Sequence, residues 1–251
     1  GGLEHQNSQM DEIPLARLQD TPASLFSHEF FHSWNVKRLR PADMVPYRYS
    51  GAQPTRWLWV SEGITDYYAN VALVRGGITD STGFYNAIAA YIMAADHAGA
   101  VSLSDASLSV WVDPTNSMSG IYYPKGGLAG FLLDIMIRDA SDNSNSLDTV
   151  MRTLYNTTYK HGKGFTSGDW WSEISRASGG KSFDEFRRRY IDGREPMPVD
   201  AVLALAGLRA IRDGANGRVR VTETPNASAK AVTVRDGILH GDGSSGPRRV
   251  P

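Results

Sequence analysis

Cysteine is absent from this sequence and histidine is scarce, with six among 251 residues. Without thiols there are no disulfides, and a bound metal must be held by imidazole and carboxylate, a donor set that favours catalytic over structural zinc. No apolar run reaches the roughly 20 residues that span a bilayer. The charges nearly cancel, 26 Lys and Arg against 27 Asp and Glu. No basic face for nucleic acid and no polybasic membrane patch is expected from that balance. The sequence also lacks an initiating methionine and a signal-peptide pattern, and the opening Gly1-Gly2-Leu3-Glu4-His5 reads as a fragment from which an upstream domain and any targeting signal would be missing. A soluble protein of bacterial cytoplasm or periplasm is expected, with nothing to choose between them.

What is present is a core-forming complement of 41% hydrophobic residues, enough for one large domain or two modest ones. Thr21-Pro22 reads as a helix start, and Leu25, Phe26, Phe30, Phe31 and Trp34 continue a helical rhythm. Inside that helix lies His28-Glu29-Phe30-Phe31-His32. Residues four apart share a face, so His28 and His32 can grip one metal ion. Glu29, turned about 100° away, is placed to take a proton from a water acidified by that metal. A core helix with two hydrogen-bonded histidines is the plainer alternative.

After a loop rich in Pro and Tyr, helical periodicity resumes from Arg56 to Arg75 and stops at Gly76-Gly77. Further helices are expected from Asp80 or Ser81 to about His97, from about Lys125 to Arg138, and near 146–160, 167–178 and 182–192. The last is expected to open on a capping box at Ser182 to Glu185. A polar loop containing Trp111 and Pro114 separates the helix ending near His97 from the one beginning near Lys125. Beyond Pro196, 199–208 reads as a short helix, 218–224 as a strand, and 241–249 as low-complexity and disordered. The fold class expected is mainly α.

Two histidines leave a tetrahedral zinc one protein ligand short, and Glu62 is the candidate. It sits in Trp57-Leu58-Trp59-Val60-Ser61-Glu62-Gly63-Ile64, where an acid among large apolar residues needs a neutralising partner. Asp66, four residues on and on the same face, is suited to accept the second N–H of a ligand histidine. The alternative makes both acids ordinary surface residues.

HEFFHSW followed by WLWVSEGITDYY resembles the gluzincin metallopeptidases, and in particular the aminopeptidase branch in which a W-x-x-E-G pattern carries the third ligand. GGLEH is similar to that branch's G-x-M-E-N signature, with Leu for Met and His for Asn. The likeness implies that Gly1 and Gly2 pair with the substrate backbone and that Glu4 binds its free α-amino group. Tyr122-Tyr123-Pro124-Lys125-Gly126-Gly127 resembles Y-x-K-G, which implies Tyr123, with Tyr122 as alternative, as hydrogen-bond donor to the tetrahedral intermediate. GGLEH, HEFFHSWNVKRLRP, the long gap and SEGITDYY together resemble the M61 glycyl aminopeptidase family over residues 1–195.

That resemblance implies a thermolysin-like catalytic domain at 1–195 with a small β portion at its N-terminal end, and a linker with an incomplete PDZ-like or disordered tail at 196–251. It implies one Zn2+ per chain, held by His28, His32 and Glu62, with Asp66 behind them, Glu29 as general base and a peptide with a free N-terminus as substrate. A preference for Gly or Ala comes from the family alone. A thermolysin-type endopeptidase and a non-catalytic peptide-binding module are the alternatives, and the oligomeric state is open.

Overall fold

The computed structural model describes residues 1–16, 22–214 and 217–241. It is mainly helical, as the periodicity implies, with two small antiparallel strand pairs among the described residues. Strand β1 (Gly2–Glu4) pairs with β2 (Gln9–Asp11), setting Leu3 opposite Met10. This hairpin lies against helix α1 (Ala23–Phe31). Pro22 occupies the capping position of α1 rather than its first turn, and the Thr21 cap expected from sequence falls outside the described residues.

The next helical stretch starts later than the Arg56 expected, with a π-helical turn at Trp59–Ile64 that passes directly into α2 (Thr65–Arg75). Helix α3 (Ser81–Ala98) follows, capped by the Asp80 carboxylate, which accepts from the Gly83 amide at 2.8 Å. A short helix α4 (Leu103–Ser109), capped by Ser102, lies ahead of Trp111 and was not foreseen. Seven residues are too few for periodicity to register.

Helix α5 (Pro124–Ala140) is the central element. Leu128, Ala129, Phe131, Leu132, Leu133, Ile135 and Ile137 are all buried, so it is covered on every side. Its one inward acid, Asp134, accepts from the Tyr67 hydroxyl at 2.7 Å, the Leu147 amide at 2.8 Å and Arg138 Nε at 3.2 Å. These bonds replace the water that burial removes. Helix α6 (Leu147–Thr157) buries Leu147, Val150, Met151 and Leu154 at helical spacing, and α7 (Ser167–Ala177) adds Trp170 and Trp171 to a cluster with Trp57, Trp59 and Phe165. Capping boxes close the starts of α6 and α7, at Ser146 with Thr149 and Thr166 with Asp169.

The capping box expected at Ser182 is replaced by a local contact of Ser182 with Asp184. The segment runs as α8 (Asp184–Phe186) into a π-helical turn, Arg187–Ile191. Arg187 pairs with Asp192, and Arg189 with Glu185 and Glu195, consistent with a solvated face.

Past residue 195, α9 (Val199–Leu205) ends before Leu208, which instead opens β3 (Leu208–Asp213). Gly207, at φ 62°, makes that turn. Strand β3 pairs antiparallel with β4 (Arg218–Glu223), and α10 (Ala229–His240) follows, unforeseen from the sequence. These elements pack on the helical body. Tyr85 donates to Glu223 at 3.1 Å, and Arg75 donates to the Ile238 carbonyl at 2.9 Å while pairing with Asp148 at 2.8 Å. Residues 242–251, which hold most of the expected low-complexity tail, lie outside the described residues. No helix among the described residues is long and apolar enough to cross a membrane.

Candidate metal centre

Helices α1 and α2 pack together, with Ser27 donating to the Ala69 carbonyl at 3.0 Å. This packing turns His28 and His32 toward Glu62 within the π-helical turn. A second crossing fixes that turn from behind. A Cβ on Gly63 would lie 2.5 Å from both the Gly126 Cα and the Tyr122 carbonyl oxygen, so the turn and the start of α5 meet backbone to backbone. The glycines after Glu62 and Lys125 permit a contact that no larger residue allows, and it carries Tyr123 into the cleft while Tyr122 packs in the core.

Three acceptor atoms converge at the centre. His28 Nε2 and His32 Nε2 are 2.9 Å apart, and each is 3.3 Å from Glu62 Oε2. The other ring nitrogens are committed as donors, His28 Nδ1 to Asp66 Oδ1 at 2.7 Å and His32 Nδ1 to the Asn35 carbonyl at 2.7 Å. Neutral imidazoles so held aim both Nε2 lone pairs at one point beside a carboxylate, an arrangement that demands a cation. Donors about 2.0–2.1 Å from a tetrahedral zinc lie about 3.3 Å from one another. The residues therefore fit zinc.

The electrostatics carry the same demand. Burial acts downward on His28, but Asp66 and Glu62 outweigh it and push the imidazole up to about 10. Burial acts upward on Glu62, yet hydrogen bonds from both imidazoles hold it at about 2. With the nitrogens and the carboxylate so biased, positive charge is favoured at this point whether a proton or a metal supplies it.

Glu29 is buried beside His28, with its side chain against Gly2 and its Oε2 left without a hydrogen-bond partner. Burial raises its pKa, and the nearby Glu4 charge adds to the rise. Tyr123 lies with its ring centroid 5.9 Å from that of His28, and burial and the Glu62 charge raise its phenol well above the ordinary value. Gly1, Gly2, Glu4, Glu29, Asp66 and Tyr123 line the same cleft, of about 690 Å³. The sequence-predicted residues are thus brought together, with one complication. Glu4 is already paired, its Oε1 standing 3.0 Å from Lys37 Nζ. His5 is exposed and does not line the cleft.

Asn35 was missed by the sequence reading. Its carbonyl orients His32, and its amide donates to the Val60 carbonyl at 2.8 Å and to Thr65 Oγ1 at 3.0 Å, which ties the turn after α1 to the helix bearing Glu62. The usable signal was the requirement that each ligand histidine place its second N–H somewhere, which the sequence reading met only with Asp66. Asp66→Asn is expected to weaken zinc binding about 10- to 100-fold, read by competition with a chromophoric chelator, while the circular dichroism spectrum stays unchanged.

Fold and site together place this chain close to the aminopeptidase class of peptidases. Over 85% of its length it is similar, at 26% identity and a TM-score of 0.72, to the crystal structure of an aminopeptidase N family protein from Idiomarina loihiensis. The match spans 40% of that longer chain. Residues 21–129 match the M61 glycyl aminopeptidase family, so the resemblance read from the motifs is borne out over the segment that holds His28, Glu29, His32, Glu62, Asp66 and Tyr123. No curated protein matches the chain.

Proposed function

We propose that the chain is the catalytic body of a zinc aminopeptidase, thermolysin-like in architecture, with the chemistry in residues 1–195. The observation that carries this reading is the convergence of His28 Nε2, His32 Nε2 and Glu62 Oε2 beside a buried, unpartnered Glu29 oxygen. His28, His32 and Glu62 would hold one zinc, with Asp66 and Asn35 keeping the imidazole tautomers. Bound zinc supplies a polarised carbonyl and an acidified water.

The side chains supply the rest. Glu29 takes the proton of the attacking water and delivers it to the leaving amine, a role that a carboxylate with a raised pKa suits. Tyr123 donates to the oxyanion as it forms, and its raised pKa keeps the phenol protonated at neutral pH. Glu4 receives the substrate ammonium and Gly2 offers main-chain groups along β1, whereas the backbone nitrogen and carbonyl of Gly1, also expected to pair with substrate, are both hydrogen-bonded to Glu12. Preference for an N-terminal Gly or Ala, and a PDZ start beyond residue 196, rest on the family likeness alone.

The pairing of Glu4 with Lys37 favours a second reading, a thermolysin-type endopeptidase in which Glu4 has no substrate role. Hydrolysis of glycine p-nitroanilide compared with that of an N-acetylated peptide separates the two, with metal analysis and chelator inhibition run alongside. Cleavage confined to blocked peptides would sink the aminopeptidase assignment, and a purified active protein without zinc would sink both. Tyr123→Phe is expected to lower kcat about 10²-fold with KM little changed, the loss of one oxyanion donor. Steady-state kinetics on zinc-loaded protein checks it.

A further inference from the structure

We propose that Lys37 tempers the cleft's affinity for a free amino terminus, its ammonium holding at Glu4, in the free protein, the place that a substrate's α-ammonium takes on binding. This rests on the aminopeptidase reading above. Lys37 Nζ is 3.0 Å from Glu4 Oε1, and both side chains are half-buried. The lysine is fixed at both ends. Its amide donates to the His32 carbonyl at 3.0 Å, and its Nζ lies 5.3 Å from the centroid of the Tyr47 ring. Carboxylate oxygens of Glu4 and Glu29 and a ring nitrogen of His32 all lie within 4.8 Å of one another. The Lys37–Glu4 pair therefore stands at the edge of the reacting centre.

Two carboxylates this close repel, and Lys37 neutralises one of them while the cleft is empty. An arriving α-ammonium either replaces Nζ at Glu4 or shares the carboxylate against cation–cation repulsion. In both cases the internal cation competes, and apparent affinity falls by the fraction of protein in which Glu4 is available. An N-acylated peptide brings no charge to exchange and leaves the Lys37–Glu4 pair in place, so the lysine narrows the margin by which the cleft favours free over blocked termini.

Steady-state kinetics with glycine p-nitroanilide on the zinc-loaded protein tests this. Lys37→Met is expected to lower KM about five-fold, the upper range for an ion pair of this exposure, with kcat within about two-fold. Lys37→Arg should keep the wild-type KM, and in a Glu4→Gln background Lys37→Met should no longer change it. A KM that rises or stays put in Lys37→Met, or a fall that persists in the Glu4→Gln background, overturns the proposal. Failure of the aminopeptidase reading shows separately, as a wild-type protein that does not turn over the anilide. Calorimetric binding of glycinamide then decides the competition, where the same tightening in Lys37→Met supports it and equal binding, or none in either protein, overturns it.

Discussion

Glu29→Gln is expected to lower kcat/KM for glycine p-nitroanilide by about 10⁴-fold, the upper end of what a general base contributes, with zinc stoichiometry unchanged. Three features set the size. The replacement is isosteric, so the packing of the side chain against Gly2 is kept and the loss reads as chemistry rather than collapse. The carboxylate is buried with Oε2 unpartnered, and the neighbouring Glu4 carboxylate is held by Lys37. Its neighbours His28 and His32 are committed at Nδ1 to Asp66 and Asn35 and at Nε2 to the metal point, which leaves them no proton-accepting capacity. Zinc content by mass spectrometry and kinetics on the same preparation check it. Wild-type activity in the variant would overturn the assigned role, and loss of zinc together with activity would move Glu29 from base to structural support.

Gly63→Ala is expected to destabilise the fold by about 3 kcal/mol or more, at the upper end of overpacking costs, and to weaken zinc binding with it. Two effects oppose each other. In a helical stretch Ala is worth up to about 1 kcal/mol over Gly. Against this, the added Cβ would sit 2.5 Å from the Gly126 Cα and the Tyr122 carbonyl, and these are backbone atoms in and just ahead of the first turn of buried α5 that cannot rotate away. The clash wins, and because Glu62 precedes Gly63 and Tyr123 precedes Pro124, relief by separation moves a metal ligand and an oxyanion donor together. Gly168→Ala in α7 is the contrast. Its Cβ meets only Thr166 Oγ1 at 3.6 Å, and a gain of about 0.5 kcal/mol is expected. Urea unfolding of both variants, with chelator competition for Gly63→Ala, reads the difference. Equal stabilities would show that the crossing yields without cost.

The legibility of the site follows how local each constraint is. His28 and His32 were readable because helical spacing alone puts them on one face. Glu62 and Asp66 were readable because acids among tryptophans and tyrosines need a partner, although that partner is 30 residues away in the chain. Asn35 was not, because its work is done by a backbone carbonyl and an amide reaching Val60, and neither leaves a mark in residue pattern. Helices α4 and α10 were missed for a different reason. One is too short for periodicity, and the other is amphipathic only with respect to a surface assembled from α2 and α5.

By itself the sequence determined the mainly helical character, the HExxH helix, the candidate metal donors and the likeness to the M61 family, since each rests on spacing or composition within a short window. Tertiary structure alone decided that three acceptor atoms meet about 3 Å apart, that Gly63 and Gly126 touch so that Tyr123 rather than Tyr122 faces the cleft, and that Glu4 meets Lys37 before any substrate arrives. These depend on how separate helices cross. A crossing is set by the summed packing of many side chains, which no single stretch of the chain records.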